Sequence, residues 1–171
     1  TIDNPILACR TNFLGTCNVL EAARESGVKR VMYSSTSSYY GLANESPLVE
    51  TMSRDCLNPY SVTKCAGEDL CKMYYSLYGL ETIIFRYFNV YGERQPVKGQ
   101  YAPVIGMFLR QVSTGEPMTV VGDGLQTGDY THVSDVVSAN LAAMVTDKGV
   151  GEVHNIGTGI HQRLLMAAFC Q

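Results

Sequence analysis

An α/β architecture built on a parallel sheet is the fold class this sequence predicts. Three observations carry the prediction. Helical and strand-like periodicities alternate between residues 10 and 87, glycines stop the helical runs, and the strand-like runs are mainly apolar with no polar–apolar alternation. Strands covered on both faces read as continuous apolar runs, and crossovers of helix length between them make neighbouring strands parallel.

The elements follow in order. From about Arg10 to Glu25, Phe13, Leu14, Val19, Leu20 and Ala23 recur at helical spacing, and Gly27 ends the run. The stretch from Arg30 to Ser35 reads as a short buried strand whose end turns polar. A turn-rich connection through Gly41, Asn44, Pro47 and Pro59 leads to a helix from about Tyr60 to Tyr78, closed by Gly79. Thr82 to Tyr87 is β-branched and aromatic, as interior parallel strands are. Beyond it, helical patterns run from about Pro103 to Thr114 and from Val133 to Thr146. Short strands are expected at Met118 to Val121 and Glu152 to Ile156.

With 171 residues, 46% of them hydrophobic, the chain is long enough to bury a core. A net charge of −3 argues against nucleic-acid or anionic-membrane partners. No apolar run approaches the roughly 18–20 residues that span a bilayer, so no membrane partner is expected. The opening Thr1-Ile2-Asp3-Asn4-Pro5 lacks the profile of a signal peptide, and the expected location is cytoplasmic. The six cysteines contain no Cys-x-x-Cys and read as free thiols. His132, His154 and His161 are too scattered to suggest a metal site, and none is expected.

The chemical signal is Tyr60-Ser61-Val62-Thr63-Lys64. Residues four apart share a helix face, so the lysine ammonium sits one turn from the phenol. A phenol ordinarily titrates near 10, and a nearby cation favours its anion, which suits it to acid–base work at a carbinol carbon. Alone the pair is a weak motif. It gains weight from Ser34-Ser35-Thr36-Ser37-Ser38, hydroxyls at the carboxyl end of a predicted parallel strand, where ligands bind in open sheets.

Taken in order, Asn12-Phe13-Leu14-Gly15-Thr16, Ser35-Thr36-Ser37-Ser38-Tyr39-Tyr40-Gly41, Pro59-Tyr60-Ser61-Val62-Thr63-Lys64 and Arg86-Tyr87-Phe88-Asn89-Val90-Tyr91-Gly92 resemble the NAD-dependent epimerase/dehydratase family of extended short-chain dehydrogenases. Gly122-Asp123-Gly124, the run Asp129 to Val137, and Asn155-Ile156-Gly157-Thr158-Gly159 continue the resemblance to about residue 160. It implies a partial Rossmann-like, doubly wound parallel sheet with part of a smaller α+β substrate-binding lobe. Residues 1–92 would be the second half of the NAD-binding domain and residues 93–171 part of the lobe.

The resemblance further implies Tyr60, Lys64 and Thr36 as catalytic residues. Asn12, Ser34, Ser35 and Phe88, with Thr36, Tyr60 and Lys64, would face the cofactor NAD. Ser38, Asn89, Val104, Thr119, Val120 and Val121, with Thr36 and Tyr60, would face a nucleotide-sugar substrate. Dehydratases and decarboxylases of the family carry a glutamate or acidic pair where this chain has Ser37 and Ser38. The expectation is therefore C4 epimerisation of a UDP-hexose, in a full-length homodimer paired through the helices at 10–25 and 60–78.

Three departures qualify this. No glycine-rich strand-to-helix turn opens the chain, Gly128 stands where the family places a phosphate-binding arginine, and the tail after Gly159 does not follow the family. The chain is accordingly expected to be a fragment lacking the N-terminal glycine-rich half and the C-terminal end. The alternatives are an inactive nucleotide-sugar-binding module and a dehydratase or oxidoreductase of the same family.

Overall fold

The chain enters its first helix earlier than the apolar periodicity predicts. In the computed structural model, which describes residues 1–96, 103–120, 122–160, 162 and 163, helix α1 (Pro5–Ala8) starts behind Asn4. The Asn4 carboxamide oxygen accepts a 2.9 Å hydrogen bond from Leu7 N, and Pro5 takes the first helical position, where a missing N–H costs nothing. The helix passes through a π-helical turn (Cys9–Leu14) into α2 (Gly15–Glu25). The expected single run from Arg10 is thus longer, and it is locally underwound by the one extra residue of the π-helical turn.

Strand β1 (Arg30–Thr36) follows, then helix α3 (Pro59–Tyr78) and strand β2 (Glu81–Tyr87). Asn58 and Ser61 form a reciprocal capping box at the start of α3, and Gly79 ends it at φ 69°, a conformation that costs other residues more. The short β3 (Val90–Tyr91) leads to α4 (Val104–Thr114), β4 (Thr127–Gly128), β5 (Thr131–His132), α5 (Val133–Val145), β6 (Val153–Ile156) and β7 (Gln162–Arg163).

The main sheet has the order β1-β2-β6, all parallel, in register from Arg30↔Glu81 to Thr36↔Tyr87 and from Ile84↔Val153 to Tyr87↔Ile156. Its pleat sends alternate residues of β2 to opposite faces. Ile84 packs with Leu20 of α2 and Cys71 and Tyr74 of α3, whereas Ile83 and Phe85 pack with Ala143 of α5. The result is a helix–sheet–helix sandwich, which is why β1 and β2 carry apolar residues on both faces, Val31 to Tyr33 and Ile83 to Phe85.

One expected strand is absent. Residues 118–120 join no ladder, and Val121 lies outside the described residues. Gln111 of α4 satisfies this segment instead, accepting from Thr119 N at 3.1 Å and donating to Thr119 Oγ1 at 2.9 Å. Of the thiols, Cys65 and Cys71 are buried, Cys17 and Cys56 half-buried and Cys9 exposed, and none of the five is in a disulfide; Cys170 lies outside the described residues. No helix among the described residues is long and apolar enough to cross a membrane.

Candidate active site

The parallel register brings the carboxyl ends of β1, β2 and β6 to one edge of the sheet, at Thr36, Tyr87 and Ile156. Thr36, nearly buried, caps the turn Ser37–Tyr39: its Oγ1 accepts from Ser38 N at 3.2 Å and its hydroxyl lies 3.2 Å from Ser38 Oγ. The strand-end serines split by strand alternation. Ser34 is exposed, while Ser35 points inward and donates to Glu68.

Helix α3 carries Tyr60 and Lys64 one turn apart. The Lys64 ammonium donates to the Ser34 carbonyl at 2.9 Å and lies 6.0 Å from the Tyr60 ring centroid and 5.2 Å from that of Tyr33. An ammonium has three donors, so two remain for a ligand. Burial lowers the Lys64 pKa, because desolvation disfavours the charged form. On the π-helical turn, Asn12 Nδ2 donates to Thr63 Oγ1 at 3.0 Å, and the Thr63 hydroxyl donates to the Tyr60 carbonyl at 2.9 Å. Asn12 and Lys64 line a cavity of about 380 Å³ along the outer side of β1, with Thr16, Val31, Met32 and Tyr33.

Beneath these groups lies a buried polar network that sequence reasoning missed. Arg86 of β2 donates to both carboxylate oxygens of Glu68 on α3, at 2.7 and 3.0 Å, with both side chains almost wholly enclosed. It also donates to Tyr40 Oη at 2.9 Å and stacks 3.3 Å from the Tyr39 ring centroid. Tyr40 in turn donates to Asn155 Oδ1 of β6 at 2.6 Å. Burial alone would lower the Arg86 pKa, but the hydrogen bonds it donates to Glu68 and Tyr40 outweigh this and hold the guanidinium charged. The network fastens α3, three strand tips and the turn after Thr36 into one piece. Its signal in the sequence was an arginine inside an apolar strand, since a charge buried there needs a partner.

The remaining candidates lie elsewhere. Phe88 lines a second cavity of about 300 Å³ with Glu50, Asp129, Asn155 and Thr158. Asp129, also missed, accepts from Thr158 N at 2.9 Å, Thr158 Oγ1 at 2.8 Å and Gly159 N at 2.8 Å, which fixes the loop after β6. Asn89, at φ 29°, donates to the Asp129 carbonyl at 2.8 Å and lines a depression of about 80 Å³ with Val104 and Tyr130. A Cβ at Gly128 would approach Tyr130 Oη to 3.2 Å and Asn89 Nδ2 to 3.3 Å, so the bare glycine lets those groups sit close. Thr119 is engaged by Gln111, Val120 follows it in coil, and Val121 lies outside the described residues. The site is thus divided: Lys64 and Asn12 meet at one cavity, with the Ser34 carbonyl holding Lys64, Thr36 and Ser38 meet at the strand tip, Phe88 lies at a second cavity, and Asn89 and Val104 at a third.

A parallel sheet in which a lysine of the following helix reaches the tip of the first strand has the architecture of a dinucleotide-type α/β protein. The chain belongs to the NAD dependent epimerase/dehydratase family, which it matches over residues 1–157. It is 42% identical over 164 residues to a UDP-N-acetyl-alpha-D-glucosaminuronate decarboxylase of Bacillus cytotoxicus, covering 92% of this chain and 50% of that protein. It is 37% identical over 161 residues to the UDP-glucose 4-epimerase of Mycolicibacterium smegmatis, covering 94% of this chain and 51% of that one. The crystal structure of a UDP-glucose 4-epimerase from Thermotoga maritima with UDP-glucose superposes with a TM-score of 0.92 at 36% identity, covering 98% of this chain and 54% of that one. The chain therefore spans about half the length of the relatives it matches.

Proposed function

We propose that this chain is part of an NAD-dependent enzyme that inverts C4 of a UDP-hexose. The observation that carries the reading is the Lys64 ammonium, anchored on Ser34 at a parallel strand tip one helical turn from Tyr60. In this reading residues 1–92 are the second half of an NAD-binding domain and residues 93–171 part of a substrate-binding lobe. The cavity beside Asn12 and Lys64 suits the ribose end of a dinucleotide, since it joins free ammonium donors to an apolar wall of Val31 and Met32. Bound NAD would supply the hydride acceptor and donor.

The roles of the chain's own residues follow. Tyr60, whose phenol oxygen has no hydrogen-bond partner among the described residues, takes the proton of the C4 hydroxyl as the phenolate and later returns it as the phenol. Lys64 holds the ribose and stabilises charge on the phenol oxygen. Thr36, with Ser38 beside it, orients the C4 hydroxyl. Ser35 acts from below through Glu68 and steadies the strand tip. Phe88 would border the nicotinamide end of the cofactor, Asn89 and Val104 the sugar diphosphate, and Thr119, Val120 and Val121 the base. Free thiols at every described cysteine suit a cytoplasmic location, and the exposed apolar side chains Val19, Val62, Leu77 and Tyr78 on α2 and α3 suit a homodimer.

The test is UDP-sugar interconversion by the full-length protein and by its Tyr60→Phe variant. A loss of roughly 100-fold or more in kcat is expected, as for removal of a general acid–base. No interconversion by the parent, or an unchanged rate in the variant, rejects the reading. A decarboxylase reading is favoured by the 42% identity to a protein of that name. It is opposed by Ser37 and Ser38, which offer no carboxylate beside Thr36. Release of carbon dioxide from a UDP-uronate would decide for it. An inactive binding module would bind UDP-sugar but not NAD when each is titrated against the 171-residue chain.

A further inference from the structure

Two thiols lie at the root of the helix that carries Tyr60 and Lys64. Cys56, half-buried in the loop entering α3, and Cys65, fully buried on the helix immediately after Lys64, hold their sulfurs 3.2 Å apart. The two positions are nine residues apart, a separation that neither helical nor strand periodicity brings together. The contact arises because the chain before Asn58 folds back along the first turns of α3. Neither thiol has a place in the acid–base chemistry above.

We infer that Cys56 and Cys65 form a redox modification site that takes a hydroperoxide as oxidant and closes to an intramolecular disulfide. Cys56 is the thiol an oxidant reaches, since Cys65 is enclosed. The Cys56 thiolate attacks one peroxide oxygen and the O–O bond breaks, leaving a sulfenic acid on Cys56 and, with hydrogen peroxide, releasing one water. The Cys65 sulfur then attacks the Cys56 sulfur, the S–S bond forms, the S–O bond breaks, and a second water leaves with the remaining thiol proton. The two sulfurs give up two electrons, and these reduce the peroxide to two waters.

Burial pushes the Cys65 thiol well above its ordinary pKa, and its contact with Cys56 adds to the shift. That suits a resolving partner kept protonated until a sulfenic acid forms beside it. The sulfurs are already side by side, so closure is a matter of side-chain adjustment. The bridge would tie the residue after Lys64 to the chain ahead of the α3 cap, and a reductant would release it.

The sequence provides a direct test. Trypsin cuts after Arg54, Lys64 and Lys72, placing Cys56 in the peptide 55–64 and Cys65 in the peptide 65–72. The chain is exposed to graded hydrogen peroxide, free thiols are alkylated after denaturation, and the non-reduced digest is read by mass spectrometry. The expected first product joins these two peptides, with fragmentation placing the bond on Cys65 rather than Cys71, and it disappears on reduction. In Cys65→Ser, dimedone should trap a sulfenic acid at Cys56; in Cys56→Ser, Cys65 should stay alkylatable at the same peroxide dose. A first disulfide that pairs either thiol with Cys9, Cys17, Cys71 or Cys170 overturns the assignment. So does a chain in which Cys56 and Cys65 remain alkylatable while the other thiols oxidise, which needs no variant to fold.

Discussion

The two sides of the candidate site are built differently. On the Tyr60–Lys64 side, one enclosed ion pair, Glu68–Arg86, ties a helix, three strand tips and the turn after Thr36 together. On the Asn89–Thr119 side, individual hydrogen bonds do the positioning: Asn89 to the Asp129 carbonyl, and Gln111 to Thr119. The difference teaches where rigidity is concentrated. Groups that would exchange a proton stand on a shared foundation, whereas groups that would touch the rest of a ligand each hang from their own anchor.

Breaking the foundation should have the largest effect. Arg86→Met leaves the Glu68 carboxylate enclosed without its cation, a loss of about 3–5 kcal/mol in urea unfolding. The double variant Arg86→Met/Glu68→Leu should recover most of it, because an apolar pair removes the unpaired charge. A double variant as unstable as the single one would contradict this account.

Next comes the seat of α3 on β1. A Cβ at Gly67 would fall 2.1 Å from Tyr33 Oη and 2.5 Å from its ring carbon, so Gly67→Ala should cost about 1–3 kcal/mol. Tyr33→Phe in the same chain should return only part of that, since the ring carbon still collides. The cap of α3 is worth less. Asn58→Ala removes the acceptor of the 3.0 Å bond from Ser61 N and should lower stability by about 1 kcal/mol.

On the other side, Thr119→Val should cost roughly 0.5–1.5 kcal/mol, with Asn89 and its neighbours undisturbed in amide chemical shifts. Shift changes spreading to the α3 residues would mean that the two sides are not separate. The smallest effect lies far from both, on α2. Hydrogen bonding from Arg24, helped by the Tyr74 hydroxyl, holds the Glu21 carboxyl at about 2, below its ordinary 4.5. The folded pKa is the lower one, so this contribution is present above about 4.5 and is lost as pH falls toward 2. Glu21→Gln should therefore flatten the acid limb of a stability–pH curve, slightly, because the pair is exposed.

Much of the fold was legible because its elements obey simple periods. The apolar run Thr82 to Tyr87 is continuous since both faces of β2 are covered, and Gly27, Gly79 and Asn58-Pro59 mark turns by their own backbone chemistry. The earlier start at Pro5 was also written in the sequence, as Asn4-Pro5, but the apolar pattern drew the boundary inward. Two-residue strands such as β3 and β5 carry no period to read. Met118 to Val121 looked strand-like because three of its four residues are apolar, yet over 118–120 the side chain of Gln111 takes the place of a ladder. In the site, Tyr60 and Lys64 were found because a fixed helical spacing links them. Glu68, Arg86 and Tyr40 were not, because their meeting depends on strand order and packing between distant segments. The contact of Cys56 with Cys65 escaped for the same reason.

The π-helical turn at Cys9–Leu14 has a consequence for how this chain could diverge. One surplus residue in that turn sets the angular phase between Asn12 and the helix that follows, by roughly 100° per residue. Length, rather than side-chain identity, thus governs where Asn12 aims. Excising a single residue there would swing its carboxamide off Thr63 while leaving every chemical group of the neighbourhood intact, so insertion and deletion at this point act as a tuning dial that substitution cannot reach.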